Sequence, residues 1–114
     1  MQAVYRLRKN NQFDHVYRRG KSVACQFFVL FFVPSKNEKL KVGFSVSKKI
    51  GKSVVRNLIK RRLKEAFRRE IPLMQQRFHF VVLARSAAAE ASYAQLQSAL
   101  KRLLKKANLY SKEQ

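Results

Sequence analysis

Residues 54–70 read VVRNLIKRRLKEAFRRE and form the most distinctive stretch of the chain. An α-helix advances about 100° per residue, which gathers the apolar side chains of this stretch on one arc. That arc consists of Val55, Ile59, Leu63, Ala66 and Phe67. The same seventeen residues contain seven Lys and Arg but only two Glu. The pattern predicts a helix that packs on a sheet by its apolar arc and presents its cations outward.

The outward side of this predicted helix carries charge of nearly one sign. Its members are Arg56, Asn57, Lys60, Arg61, Lys64 and Arg68. A charged helix face is usually just solvated, but here two glutamates are too few to neutralise the row. Phosphates could do so, because each phosphate that a Lys or Arg contacts releases condensed counterions. Asn57 could reach a base edge or a 2′-hydroxyl, or could equally be a helix-start residue.

The composition also indicates a folded domain that binds a polyanion. The 114 residues include 26 Lys and Arg against 6 Asp and Glu, a net charge of +20, while 46% are hydrophobic. That apolar content is enough for one core, so we expect a single domain over residues 1–114 rather than a disordered basic tail. A fold this basic repels itself unless an anion neutralises it, which indicates nucleic acid ahead of an acidic membrane surface.

The sequence gives no indication of export or membrane insertion. No apolar run approaches 18 residues, and the N-terminus has no apolar segment of the kind found in signal peptides. The single cysteine, Cys25, excludes an intramolecular disulfide and a multi-cysteine zinc site. We therefore expect a cytoplasmic protein in which Cys25 is a small apolar filler.

The segments around the basic helix alternate between helical and extended patterns. Residues 11–20 have the spacing of a short helix that ends at Gly20. Residues 92–95, Ser-Tyr-Ala-Gln, have the form of a capping box at the start of a leucine-rich last helix.

Three segments have the composition of strands. Residues 22–33 form a long apolar run, residues 40–47 alternate apolar and polar, and residues 78–85 form a third apolar run. We expect the second strand to form a hairpin with the first. The prediction is an α+β fold, a two-layer α/β sandwich with a small central sheet and the order helix, two or more strands, basic helix, strand, helix.

An aromatic pair marks the first predicted helix. Phe13 and Tyr17 lie one turn apart and share a face with Val16. Aromatic rings stack on unpaired bases with little demand on sequence. Because an apolar pair at this spacing is also the usual way that a helix packs on a sheet, the residues alone leave both interpretations open.

The sequence lacks the usual patterns of a protein active site. Ile50-Gly-Lys-Ser53 ends like a phosphate-binding P-loop, but Val46 stands where that motif needs its first glycine. The acidic residues are scattered and form no paired-carboxylate site, and His79 has no second metal ligand at a useful spacing.

Two segments together resemble the signature of the bacterial ribonuclease P protein subunit. They are Lys41-Val-Gly-Phe-Ser-Val-Ser-Lys-Lys-Ile-Gly51 and Val55-Arg-Asn-Leu-Ile-Lys-Arg-Arg-Leu-Lys-Glu-Ala-Phe-Arg68. The resemblance extends to Leu7-Arg-Lys-Asn-Asn-Gln-Phe13 and to the last helix, and is loosest at Arg62. It implies a compact α/β sandwich with a left-handed βαβ crossover around the basic helix. It further implies a protein that assists a catalytic RNA in trimming the 5′ leader from precursor tRNA.

The resemblance also implies roles for individual residues. The residues implied to bind the ribonuclease P RNA are Arg56, Asn57, Lys60, Arg61, Lys64 and Arg68, with Lys48 and Lys49 in the flanking loop. Those implied to form a groove for the precursor tRNA leader are Phe13, Tyr17, Val29 and Phe31. No catalytic or metal-binding residue is implied in the protein, since Mg²⁺ in the holoenzyme would be held mainly by RNA.

Two alternatives remain open at this point. A structural ribosomal-type RNA-binding protein would also be small and basic, but has less reason to keep Phe13 and Tyr17 beside an open strand face. A DNA-binding module would place residues 56–68 in a major groove and would prefer a duplex to single-stranded RNA.

Overall fold

The structure, a computed structural model, describes residues 5–112. Its helices are α1 (Asn10–Arg19), α2 (Ser53–Glu70) and α3 (Tyr93–Lys106). Its strands are β1 (Lys21–Ala24), β2 (Phe28–Pro34), β3 (Lys41–Ser45) and β4 (Phe78–Ala84). They follow one another as α1, β1, β2, β3, α2, β4 and α3, which confirms the α+β class and the predicted order of helices and strands.

The four strands form one open sheet in the order β1, β2, β4, β3. Strand β2 pairs antiparallel with both β1 and β4, while β3 pairs parallel with β4. Because β3 and β4 are parallel neighbours, the chain between them, including α2, forms a crossover connection. The left-handed sense of that crossover stays a prediction.

The single long strand predicted over residues 22–33 is wrong. The chain turns back at residues 25–27, where the amide of Cys25 donates to the Phe28 carbonyl at 3.0 Å, so that β1 and β2 form a hairpin. This turn contains neither Gly nor Pro, and an apolar run carries no periodic signal of where it folds back.

The hairpin predicted between the first two strand patterns is also wrong. Strand β4 lies between β2 and β3, with Val82 opposite Leu30 on one side and opposite Phe44 on the other. Three consecutive β4 residues, Phe80, Val81 and Val82, are buried, as expected for a central strand covered on both faces. Strand β3 alternates apolar and polar residues, which suits a position near the sheet edge.

The two faces of the sheet are covered by different helices. On one face, α2 and α3 pack against a core that includes Phe28, Leu30, Phe80 and Val82. On the other face, α1 packs by Val16 against the alternate strand residues, Val33 and Val81 among them. The main sandwich therefore has two layers, the sheet and the α2–α3 layer, and α1 covers part of the opposite face.

Side-chain hydrogen bonds fasten the ends of the helices. Ser92 accepts from the amide of Gln95 at 3.1 Å, and the Gln95 side chain accepts from the amide of Ser92 at 2.9 Å, which confirms the predicted capping box. At the C-terminal end of α2, the buried Glu70 carboxylate accepts a 2.8 Å hydrogen bond from the Tyr110 hydroxyl. The segment after α3 is thereby tied to the end of α2.

Candidate nucleic-acid interface

Helix α2 is anchored along the predicted apolar arc. Ile59, Leu63, Ala66 and Phe67 are all at most 3% exposed, and Val55 is half-buried against the same core. The rings of Phe44 and Phe80 meet the Phe67 ring at centroid distances of 6.1 and 5.5 Å. This packing fixes the rotation of α2, so the outward residues form a preorganised array.

The centre of the predicted basic row forms one continuous surface. Asn57 and Arg61 are exposed and Lys60 and Lys64 are half-buried. These four residues line a shallow depression on the outer side of α2, together with Glu65. Half-buried lysines typically lay their aliphatic stems along the protein and keep the ammonium group at the surface.

The ends of the row make contacts within the protein. Nε of Arg56 donates to the Gly51 carbonyl at 3.1 Å, so this side chain helps to shape the turn before α2. The Arg68 guanidinium forms a two-pronged ion pair with the exposed Glu65 carboxylate. Phosphate binding by Arg68 would therefore have to compete with Glu65, whereas Asn57 and Arg61 have no protein partner among the described residues.

Arg62 faces away from this row. Its Nη1 donates to the Ala91 carbonyl at 2.9 Å and ties α2 to the chain just before α3. The looser family match at this position thus coincides with a contact inside the protein.

A further cation, absent from the predicted set, joins the row from the N-terminal segment. The amide of Leu7 donates to the Val42 carbonyl at 3.1 Å, which lays the segment along β3 and brings Arg6 beside Lys64. Partial burial, with the charges of Arg6 and Lys60, lowers the pKa of Lys64. No local pattern marks Arg6, because its position depends on a contact 36 residues away along the chain.

An aromatic cleft of about 450 Å³ opens between α1 and the end of β3. Its lining comprises Asn10, Phe13, Asp14, Tyr17, Phe44, Ser45, Val46 and Lys60. Phe13 lies directly over Gly43: a Cβ atom at that glycine would come within 2.2 Å of the Phe13 ring. Gly43 is therefore the residue that allows α1 to place Phe13 close to the sheet.

The sheet face beside α1 remains partly open. Val33 and Val81 are buried beneath α1, but the neighbouring row across the sheet, Val29, Leu83 and Ser45, is only half-buried. Leu83 was not among the predicted groove residues. The β2–β4 register, which pairs Leu83 with Val29, is the feature that identifies it.

The structure brings the four predicted groove residues to one face of the sheet. The Phe31 ring meets the Tyr17 ring edge to face at a centroid distance of 4.9 Å. Phe13 and Tyr17 line the cleft itself, whereas Phe31 and Val29 lie on the adjoining sheet surface. Phe31 packs against Tyr17 outside the cleft, so the two aromatic rings form a connected apolar surface.

Lys60 connects the two surfaces. It lines the aromatic cleft with Phe13 and Tyr17, and it lines the depression on α2 with Arg61 and Lys64. A nucleic-acid strand whose bases stack in the cleft could therefore place its adjoining phosphates against the basic row.

Lys48 and Lys49, predicted in a loop that flanks the basic helix, lie in a 3-10 turn ahead of α2. Both are exposed, and the turn is held by the Ser47 hydroxyl, which accepts from the amide of Lys49 at 3.1 Å. The lysines therefore extend the positive surface at the N-terminal end of the helix.

Across the part of the chain that the structure describes, the histidines and acids do not assemble into a metal site. Within residues 5–112, no three His, Cys, Asp or Glu side chains lie close enough together to hold a metal ion. His79 has its Nε2 within 3.1 Å of both the Ser35 hydroxyl and the Asn37 amide nitrogen, and burial is the main cause that lowers its pKa. Over the same residues, no helix is long and apolar enough to cross a membrane.

Comparisons with known proteins agree with this arrangement. The family model described as Ribonuclease P matches residues 1–108. A ribonuclease P protein component from Alkaliphilus oremlandii is 40% identical over 109 residues, covering 96% of each chain. One from Clostridium kluyveri is 44% identical over 109 residues, covering 94% of this chain and 97% of the relative.

Solved structures extend the likeness to three dimensions. The ribonuclease P protein of Staphylococcus aureus superposes with a TM-score of 0.86 at 35% identity, covering 94% of this chain and 98% of that one. The Thermotoga maritima protein superposes with a TM-score of 0.80 at 30% identity, covering 89% and 96%. These matches do not favour the ribosomal or DNA-binding alternatives. The chain belongs to the ribonuclease P protein family.

Proposed function

We propose that this protein, as the protein component of ribonuclease P, binds the catalytic RNA through the α2 row and the 5′ leader of precursor tRNA in the aromatic cleft. The observation that carries the proposal is the position of Lys60, which lines both surfaces. An RNA strand leaving the cleft meets a cation at once, so the two binding surfaces can act on one continuous substrate.

The aromatic cleft is suited to bind leaders of different sequence. Phe13 and Tyr17 present aromatic rings, and stacking contributes about 1–3 kcal/mol per base without demanding a particular base. Lys60 at the rim can neutralise a phosphate of the stacked strand. Precursor and mature tRNA are then distinguished because only the precursor has a leader that can occupy the cleft.

The chemical step is assigned to the RNA partner. Five described acids are Asp14, Glu38, Glu65, Glu70 and Glu90, and no metal-binding group forms among them and the described His and Cys residues. They do not fit a protein-held Mg²⁺ site, so we place the Mg²⁺ of the holoenzyme on RNA oxygens. The protein neutralises phosphates and positions the substrate, and we place this work in the cytoplasm.

Reconstituted cleavage tests the proposal. A precursor tRNA is incubated at near-physiological magnesium with a cognate ribonuclease P RNA, with the protein, or with both. We expect efficient cleavage at the mature 5′ end only when both are present. Cleavage by the protein alone would contradict the assignment of chemistry to RNA, and an RNA whose activity is unaffected by the protein would contradict the assisting role.

A further inference from the structure

Helix α3 presents a second array of cations to solvent. Its buried side, which includes Leu96, Leu100 and Leu103, packs into the main core. Four cationic residues on two successive turns of the outer side are exposed. We call them the α3 cationic face: Lys101, Arg102, Lys105 and Lys106. The positions of these cations are therefore set by the core, as they are for α2.

The α3 cationic face has no acidic partner among residues 5–112. Helix α3 contains neither Asp nor Glu, and both ion pairs of the described region are made by Glu65 on α2. The interaction of cations with the helix dipole is confined to the last turn, where Lys105 and Lys106 lie. The helix dipole therefore does not account for the charges of Lys101 and Arg102, which lie one turn closer to the N-terminus of α3.

Arg102 also borders a groove of about 330 Å³ with a mixed polar and apolar lining. The groove lies between α3 and the β1–β2 turn. Its polar lining residues are Gln26, Gln95, Ser98 and Arg102, and its apolar ones are Phe27, Ala94 and Ala99. Amide and hydroxyl groups beside a guanidinium are suited to sugar hydroxyls and phosphate oxygens. The groove thus supplies hydrogen-bonding groups next to the cations.

The α3 cationic face and the α2 row lie on different sides of the molecule. The side of α2 that meets α3 carries Arg62, bonded to the Ala91 carbonyl, and Arg69, which lies 5.8 Å from the Tyr93 ring centroid. At about 100° per residue, Arg62 projects roughly 160° away from Lys64 around the helix axis. A single phosphate strand seated on the α2 row therefore leaves the α3 cationic face free.

We propose that the α3 cationic face binds the sugar–phosphate backbone of a separate double-helical segment of the ribonuclease P RNA, without reading its sequence. The proposal rests on the proposed function. Duplex RNA fits because its deep, narrow major groove hides base edges from side chains, whereas its phosphates and minor-groove 2′-hydroxyls are exposed. Phosphates and hydroxyls are the groups that the face and its groove can engage.

The salt dependence of RNA binding tests this surface. The variant Arg102→Gln/Lys105→Gln removes two cations, and Lys36→Gln/Lys39→Gln removes two exposed cations from the β2–β3 loop as a matched control. We expect the slope of log affinity against log salt to fall by about 1.4–1.8 in the α3 variant only. Wild-type affinity for the RNA subunit would then drop roughly 7- to 12-fold more than that of the variant between 50 and 200 mM salt.

Three further measurements decide between outcomes. Arg102→Lys/Lys105→Arg keeps both charges and should keep the wild-type slope. Lys60→Gln/Arg61→Gln tests the proposed function: if it loses slope and the α3 variant does not, only the present inference is overturned, and if neither loses slope the proposed function fails as well. Hydroxyl-radical footprinting compares the Arg102→Gln/Lys105→Gln variant with the Lys60→Gln/Arg61→Gln variant. We expect each variant to lose protection of a different segment of the RNA, and loss at the same segment would overturn the proposal.

A membrane surface is the competing occupant. Sedimentation with vesicles of phosphatidylglycerol and phosphatidylcholine would detect it. We expect the α3 variant and the Lys36→Gln/Lys39→Gln control to behave alike in this assay. Selective loss of vesicle binding by the α3 variant, with an unchanged RNA slope, would assign the face to anionic lipid instead.

Discussion

The two faces of the sheet are covered to very different extents. Towards α2 and α3, the strand residues Phe28, Leu30 and Phe80 are fully buried in one large core. Towards α1, a short helix covers Val33 and Val81 and leaves the row through Val29 and Leu83 half-buried. A face closed on all sides can only stabilise the fold, whereas a face left open beside aromatic rings is available to a ligand. The contrast indicates that one face serves stability, and it supports the proposal that the other binds the leader.

The closed face should respond most strongly to truncation. Phe67→Ala removes a fully buried ring between Phe44 and Phe80 and should lower the free energy of unfolding by about 3–5 kcal/mol. Urea unfolding measures this loss. Phe31→Ala, on the half-open face, is the matched control and should cost clearly less. Equal losses would mean that the two faces contribute equally to stability.

The open face should respond in binding instead. Phe13→Ala should weaken binding of precursor tRNA to the holoenzyme roughly 5- to 150-fold, as expected for one lost stacking contact of about 1–3 kcal/mol. Binding of mature tRNA should not change. Gly43→Ala provides a second route, since its Cβ would lie 2.2 Å from the Phe13 ring and must displace it. If both tRNAs were weakened equally, Phe13 would be packing and not a leader contact.

Two tyrosine hydroxyls on the α2–α3 side should differ in their contribution to stability. Tyr110→Phe leaves the buried Glu70 carboxylate without its hydrogen-bond donor and should cost about 1–3 kcal/mol of stability. Tyr93→Phe should cost nothing, because the buried Tyr93 hydroxyl has no hydrogen-bond partner within the described chain. Thermal or urea unfolding of both variants measures the difference. A larger loss for Tyr93→Phe would contradict the assigned roles.

The boundary between the two faces can be tested through salt. Lys60→Ala or Lys64→Ala should each reduce the salt slope of RNA-subunit binding by roughly one, the value for one lost phosphate contact. Lys60→Ala should in addition weaken binding of the precursor leader, because Lys60 lines the cleft and the α2 depression alike. Unchanged slopes in both variants would remove the phosphate contacts from this part of α2.

The smallest expected effect is a pH dependence at the far end of the open face. Burial, together with Lys41 and His15, lowers the pKa of His79 in the fold. The unfolded chain therefore takes up this proton first as the pH falls below about 6.5, and the associated stability is lost between that pH and the lower folded-state pKa. Melting temperatures from pH 8 to 5 should fall less steeply for His79→Gln than for the wild type. Parallel profiles would show that His79 does not contribute.

Local patterns identified the helices well. The apolar arc of α2, the Ser92–Gln95 capping box and the shared face of Phe13, Val16 and Tyr17 all follow from the 3.6-residue period, and each is present in the structure. The hairpin turn at residues 25–27 and the insertion of β4 beside β3 could not be predicted in the same way. Strand pairing joins residues far apart in the chain, and an apolar run is compatible with several partners.

An α+β domain with a one-sided basic helix follows from the amino-acid sequence alone, since charge, periodicity and capping are properties of neighbouring residues. Which cations lie side by side depends instead on the three-dimensional fold. It brought Arg6 beside Lys64, turned Arg62 towards the Ala91 carbonyl, and placed Leu83 beside Val29 on the open face. Contacts across the sheet and between helices depend on strand order and register, and these are set by how the whole core closes.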